Sequence, residues 1–117
     1  VDKQPPKTFK PNWMNHLDTR TTVAKEMRER FTCMTSDLGG LEHLSYAQKS
    51  LVERALWLEH WLRTQESELA SGEPFDVGKW VQAANSLQGI LSKLGLERQA
   101  KNVTSFQDFI TGKKDKA

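Results

Sequence analysis

Three histidines, one cysteine and fifteen aspartates and glutamates are the side chains of this 117-residue sequence that could carry a reaction or hold a metal. Their spacing assembles neither. His16, His43 and His60 are scattered over a proline-rich stretch, a glycine-flanked loop and the polar side of a long helical run. Glu59-His60 followed by Glu66 does not reproduce a zinc-binding helix, which needs two ligands a turn apart on one face. Cys33 has no second cysteine for a disulfide or a metal site, and its position off the apolar centre of a helix suits a small packing residue. Glu59 with Arg63, and Arg63 with Glu66, are ordinary helix-surface pairs. Gly39-Gly40 lacks the lysine and spacing of a phosphate-binding loop. Asn102-Val103-Thr104 matches a glycosylation acceptor, which matters only in a secreted protein. These patterns predict no enzyme, no cofactor and no metal.

What remains is chemistry of contact. The net charge of +2 conceals a division: residues 1 to 30 carry about +3, residues 31 to 92 about −4 and residues 93 to 117 about +3. Basic ends can meet a phosphate backbone, and they are equally a common solubility feature. Trp57 and Trp61 are the other candidates. Either they are core packing against a preceding helix, or they form an intersubunit or partner surface, since tryptophan offers much contact area at little entropy cost.

The elements that must position these groups are all helical. The composition is that of an ordinary globular domain, and the length suits one domain. Residues 1–17 hold three of the four prolines and several lysines without a period, and are expected to be a flexible basic arm, with Trp13, Met14 and Leu17 able to pin its end. A single helical domain is expected over 18–111. Asp18 or Thr19 can cap a first helix, about 19–38, along which Val23, Met27, Phe31, Met34 and Leu38 form a narrow apolar stripe ended by Gly39-Gly40. Ser45 with Gln48 has the form of a capping box, so a second helix is predicted over about 46–70. Its seam is Leu51, Ala55, Leu58, Leu62, Gln65 and Leu69, and Trp57 and Trp61 widen the apolar arc beyond what one neighbour covers.

Ser71-Gly72-Glu73-Pro74 must reverse the chain, after which Asp76 caps a third helix, about 77–94, with Phe75 and Trp80 offset as a hydrophobic staple. Its seam of Trp80, Ala84, Leu87, Leu91 and Leu94 matches the period of the second helix. Joined by so short a turn, the two form an antiparallel helical hairpin. Gly95 closes it in the manner of a Schellman motif, with Leu96 able to touch Leu91. A short helix is predicted over about 105–111, where Phe106, Phe109 and Ile110 share one face, and residues 112–117 are a solvated basic tail. No apolar run approaches a membrane span and the start lacks the apolar region of a signal peptide, so the expected location is cytoplasmic.

The strings Asp37-Leu38-Gly39-Gly40, Leu44-Ser45 with Gln48, Leu51, Glu53-Arg54-Ala55 and Leu58, then Gly72-Glu73, Phe75-Asp76, Asn85-Ser86-Leu87 and Leu94-Gly95-Leu96-Glu97-Arg98, resemble a group of small phage and prophage proteins of proteobacteria, of the small terminase subunit type. The likeness covers residues 18 to about 110 and rests on caps and seams. It implies a ring-forming hairpin in the cytoplasm of a bacterial host, DNA binding, and engagement of a large terminase subunit in DNA packaging. On that pattern the DNA-contacting residues are Lys7, Lys10, Arg20, Lys25, Arg28 and Arg30. The oligomer or partner surface falls to Trp57, Trp61, Phe106, Phe109 and Ile110, with the large subunit meeting the tail after Val103. The family commonly carries an N-terminal helix-turn-helix, and residues 1–40 supply only one helix and an arm. The rival expectation is a phage-encoded protein-binding module that modulates a host defence or transcription protein without touching nucleic acid; a structural virion subunit is a third.

Overall fold

The computed structural model describes residues 3–95 and contains three α-helices, α1 (Thr22–Asp37), α2 (Tyr46–Ala70) and α3 (Val77–Leu94). Single 3-10 turns at Trp13–His16 and Leu41–His43 precede α1 and α2, and no β-strand occurs among the described residues. The helical hairpin is present, with α2 and α3 bounded as their caps predict. The expected helix at 105–111 lies outside the described residues.

Local chemistry sets each boundary. α1 begins three residues later than its sequence suggests because Asp18 is occupied elsewhere: its carboxylate accepts from the Arg20 amide at 3.0 Å and its carbonyl accepts from the Thr21 hydroxyl at 2.9 Å. Thr21 is the cap instead, its Oγ1 taking the Ala24 amide at 3.1 Å. At the other end the amide of Gly40 reaches the Thr35 carbonyl at 2.8 Å and that of Gly39 reaches Ser36 at 3.1 Å, a Schellman closure. Gly40 sits at φ 105°, where a side chain is strained. The capping box of α2 is complete: the Gln48 amide donates to Ser45 Oγ at 3.1 Å and the Ser45 amide to Gln48 Oε1 at 2.8 Å. Asp76 caps α3 by accepting from the Lys79 amide at 3.1 Å, and the Phe75 and Trp80 rings lie 6.5 Å apart as the staple requires.

The core gathers at the lower half of α2. Trp13, Met27, Val52 and Leu56 are the largest fully buried side chains, joined by Leu17, Ala24, Leu44 and Leu94. Ala55 and Leu62 of the predicted seam are buried, but Val52 and Leu56, which lie off it, are buried more completely than Leu51 or Leu58. The reason is that α2 has three neighbours rather than one. With α3 on one side, α1 on another and residues 5–17 on a third, the most enclosed line runs between the contact faces.

The segment expected as a flexible arm packs along α2. Pro5, Trp13 and Leu17 are buried. The Trp13 indole donates to the Glu53 carbonyl at 3.2 Å and its backbone amide to Glu53 Oε1 at 3.1 Å. Nearer the start of the chain, the Trp57 indole donates to the Pro6 carbonyl at 2.8 Å, and the Phe9 ring stands edge-on to Trp57 at 6.0 Å with the Arg54 guanidinium 4.3 Å from its centroid. Prolines keep the segment extended, and its aromatic groups supply the apolar area that holds it down.

The outer half of the hairpin is different. Between residues 63 and 93 no side chain is buried, and Leu69, Val77 and Val81 are 50%, 61% and 41% exposed. Two helices cannot enclose a core by themselves, so this half projects as a pair with a partly wet seam. No helix among the described residues is long and apolar enough to cross a membrane.

Candidate functional site

Two grooves run beside α2, and their charges are opposite. The first lies between α1, α2 and the end of α3. Met34, Leu38, Leu56, Leu91 and Leu94 make it apolar, while Glu26, Glu29, Asp37 and Glu59 stand around it with Arg30 as its only cation. Arg30 itself pairs with Glu59 at 3.6 Å, and Arg63 pairs with the same carboxylate at 3.1 Å. The second groove lies between the docked arm, α2 and α3. Phe9, Trp57, Leu58 and Ile90 form its apolar part, Ser50 and Ser86 offer hydroxyls, and among the described residues its charged lining is Arg54 and Lys93 with no carboxylate. Lys7 and Lys10 are exposed and lie within two residues of Phe9 in the chain, outside the groove's lining.

The six basic residues expected to meet DNA are therefore not one patch. Lys7 and Lys10 are exposed on the arm, within two residues of the Phe9 that lines the basic groove. Arg20 is tied to Asp18 through two bonds of 3.1 and 3.2 Å, and the guanidinium holds the Asp18 carboxyl below its ordinary value. Arg28 donates to the Thr19 carbonyl at 3.1 Å and, with Lys49, borders a separate cleft beside Asn12 and Asn15. Lys25 is exposed on α1, and Arg30 belongs to the acidic groove.

Arg54 and Lys93 escaped the sequence reading. The available signal was the hairpin register: about 20 residues separate each from Glu73 in the turn, so folding α2 back on α3 sets them level. Which flank of the hairpin they share depends on where the arm lies, and periodicity carries no information about that.

Trp57 and Trp61 serve different places. Trp57 is half-buried beneath the arm and packs against the core cluster. Trp61 is half-buried at the far end of the hairpin, lining a shallow cleft with Gln65, Pro74, Phe75 and Val77. Nearby, the Trp80 indole donates to Glu66 Oε2 at 3.2 Å. Phe106, Phe109 and Ile110 lie outside the described residues.

His60 is half-buried on α2, and burial pushes its pKa down, helped by Arg30 and Arg63 and opposed by Glu26. Among the described residues no cluster of histidine, cysteine, aspartate and glutamate is placed to hold a metal ion. No family model, curated protein or solved structure matches the chain.

Proposed function

We propose that this chain is a non-catalytic assembly adaptor of the small terminase type, which holds DNA by its phosphates and associates with copies of itself and with a large packaging subunit. The observation that carries the reading is the groove between arm, α2 and α3, whose charged lining is wholly cationic. Arg54 and Lys93 line it and suit phosphate contact, Lys7 and Lys10 are exposed within two residues of Phe9 in the chain, and Ser50 and Ser86 can add hydrogen bonds to phosphate oxygens. Among the described residues the first 40 supply one helix, α1, and no helix-turn-helix, so the expected binding is sequence-tolerant. Four cations per subunit give modest affinity, which association sums over copies. The projecting half of the hairpin, with Leu69, Val77 and Val81 exposed, supplies apolar surface for that association.

The same exposed apolar tip also suits the second reading, a protein-binding module with no nucleic-acid role. Light scattering coupled to gel filtration and a duplex DNA titration at two salt concentrations separate them. The adaptor reading expects a mass of several chains and binding that weakens with salt, each phosphate contact contributing roughly 0.9 to the logarithmic slope. Arg54→Glu with Lys93→Glu should then weaken binding at least tenfold. A monomer indifferent to DNA at low salt sinks the adaptor and leaves the protein-binding module.

A further inference from the structure

We infer that the acidic-rimmed groove between α1, α2 and the end of α3 is a docking site for one basic amphipathic helix of a partner protein. α2 contributes Leu56 and Glu59 to it and Arg54, Trp57 and Leu58 to the cationic groove, and at about 100° per residue those two sets point to opposite sides of the helix. Its occupancy therefore does not depend on whether the cationic groove holds DNA. The floor fixes the form of the occupant. Met34 and Leu38 line it from α1, Leu91 and Leu94 from α3, and Leu56 and Leu94 are buried at its base. Each helix thus presents a pair spaced by about one turn, which suits apolar side chains recurring at that same interval on the face of a helix. From Glu26 to Asp37 the α1 rim runs about 16 Å, roughly three helical turns.

Charge fixes the partner's sign. Among the described residues the carboxylates of Glu26, Glu29, Asp37 and Glu59 line the groove against the single guanidinium of Arg30, on a chain whose net charge is +2. The acidity is local. Glu59 is already held by Arg30 and Arg63, whereas Glu26 and Glu29 are exposed and make no ion pair among the described residues. Their charge is open to a newcomer. A phosphate backbone or an anionic lipid surface is repelled by such a rim. A helix with lysines or arginines beside an apolar face satisfies rim and floor together, the cations steering it in and the apolar anchors holding it.

Cys33 gives the test, because it lines this groove, is exposed and is the sole cysteine of the chain. The probe is a synthetic amphipathic helix of leucines and lysines, about four turns long. With the full-length protein, a maleimide should label Cys33 at least threefold more slowly when this peptide is saturating. The same peptide with every lysine replaced by glutamate should give no protection. Glu26→Lys with Glu29→Lys, both exposed on α1, should weaken binding of the lysine peptide at least tenfold, with the far-ultraviolet circular dichroism unchanged. Equal labelling rates with and without the lysine peptide overturn the inference, and so does equal protection by the glutamate peptide. Undiminished binding to the double variant does the same. A Cys33 that reacts tenfold more slowly in the free protein than in the urea-unfolded chain also overturns it, since the groove is then filled by the chain's own residues or by a second copy.

Discussion

His60 shows how much a single position on α2 depends on its neighbours. It sits half-buried where Arg30 and Arg63 face it and only Glu26 opposes them, so the folded protein resists a proton that the unfolded chain accepts near pH 6.5. The unfolded state therefore binds more protons as the pH falls through that value. Stability is full above about pH 6.5 and declines as the pH drops toward the lower pKa of the folded state. His60→Gln should flatten the dependence of the thermal midpoint on pH between about 7 and 5.5, while changing the midpoint at pH 8 much less. An unaltered pH slope in the variant would mean that other groups set it. Nothing in the sequence announces this, because the two arginines reach His60 from α1 and from the next turn of α2. By contrast Ser45, Gln48 and Asp76 were legible as caps, since capping partners lie within three residues and need no tertiary context.

At the level of elements, the docked arm is the largest departure from the sequence-based expectation. Its lysines and prolines read as a flexible extension pinned at its end by Trp13, Met14 and Leu17; Trp13 and Leu17 are indeed buried, but the contact begins much earlier, where Trp57 donates its indole hydrogen to the Pro6 carbonyl. The misreading has a physical source. Residues 5–17 have no hydrophobic period because their only helical piece is the single 3-10 turn Trp13–His16, and single aromatic anchors at Phe9 and Trp13 carry the burial that a periodic face would otherwise distribute. The burial of Val52 and Leu56 was missed because it follows from neighbours distant in the chain: both belong to a cluster that joins Trp13 and Leu17 of the arm, Ala24 and Met27 of α1 and Leu94 of α3. Phe9→Ala should remove both the edge contact with Trp57 and the cation contact with Arg54, costing about 1 to 3 kcal/mol. Tryptophan emission should shift to the red as Trp57 meets water. If the arm were incidental, denaturation midpoint and emission would both match the native protein. If the groove holds DNA, the same substitution should weaken binding, because Phe9 is the arm residue that lines it beside Arg54.

Over the whole molecule the hairpin divides into an enclosed lower half and a projecting upper half. The lower half meets α1 and the arm and contains every buried residue of α2 and α3, from Val52 to Leu62 and Leu94. The upper half offers Leu69, Val77 and Val81 beside Trp61, Pro74 and Phe75. If association runs through this end, Val77→Lys with Val81→Lys should reduce the mass in solution to that of one chain. The far-ultraviolet circular dichroism should be retained, because neither valine is enclosed in the monomer. Persistence of the oligomer in that variant would move the interface elsewhere. Here the sequence was informative in part: an apolar arc too wide for one neighbour was visible on α2, but the arm takes the share of it that belongs to Trp57 and leaves only the share near Trp61 for another molecule.

The arm's hydrogen bonds join residues 40 and 51 positions apart, while the hairpin is closed by a turn of a few residues. Chain closure over so different a range implies an order of events in folding. The paired helices can form from local encounters, and the arm must find a surface that the hairpin has already built. Native-state hydrogen exchange should accordingly reveal an opening in which the arm lifts while α2 and α3 stay protected. The cationic groove would then vanish and reform on a timescale of its own, making its availability a kinetic property of the first seventeen residues.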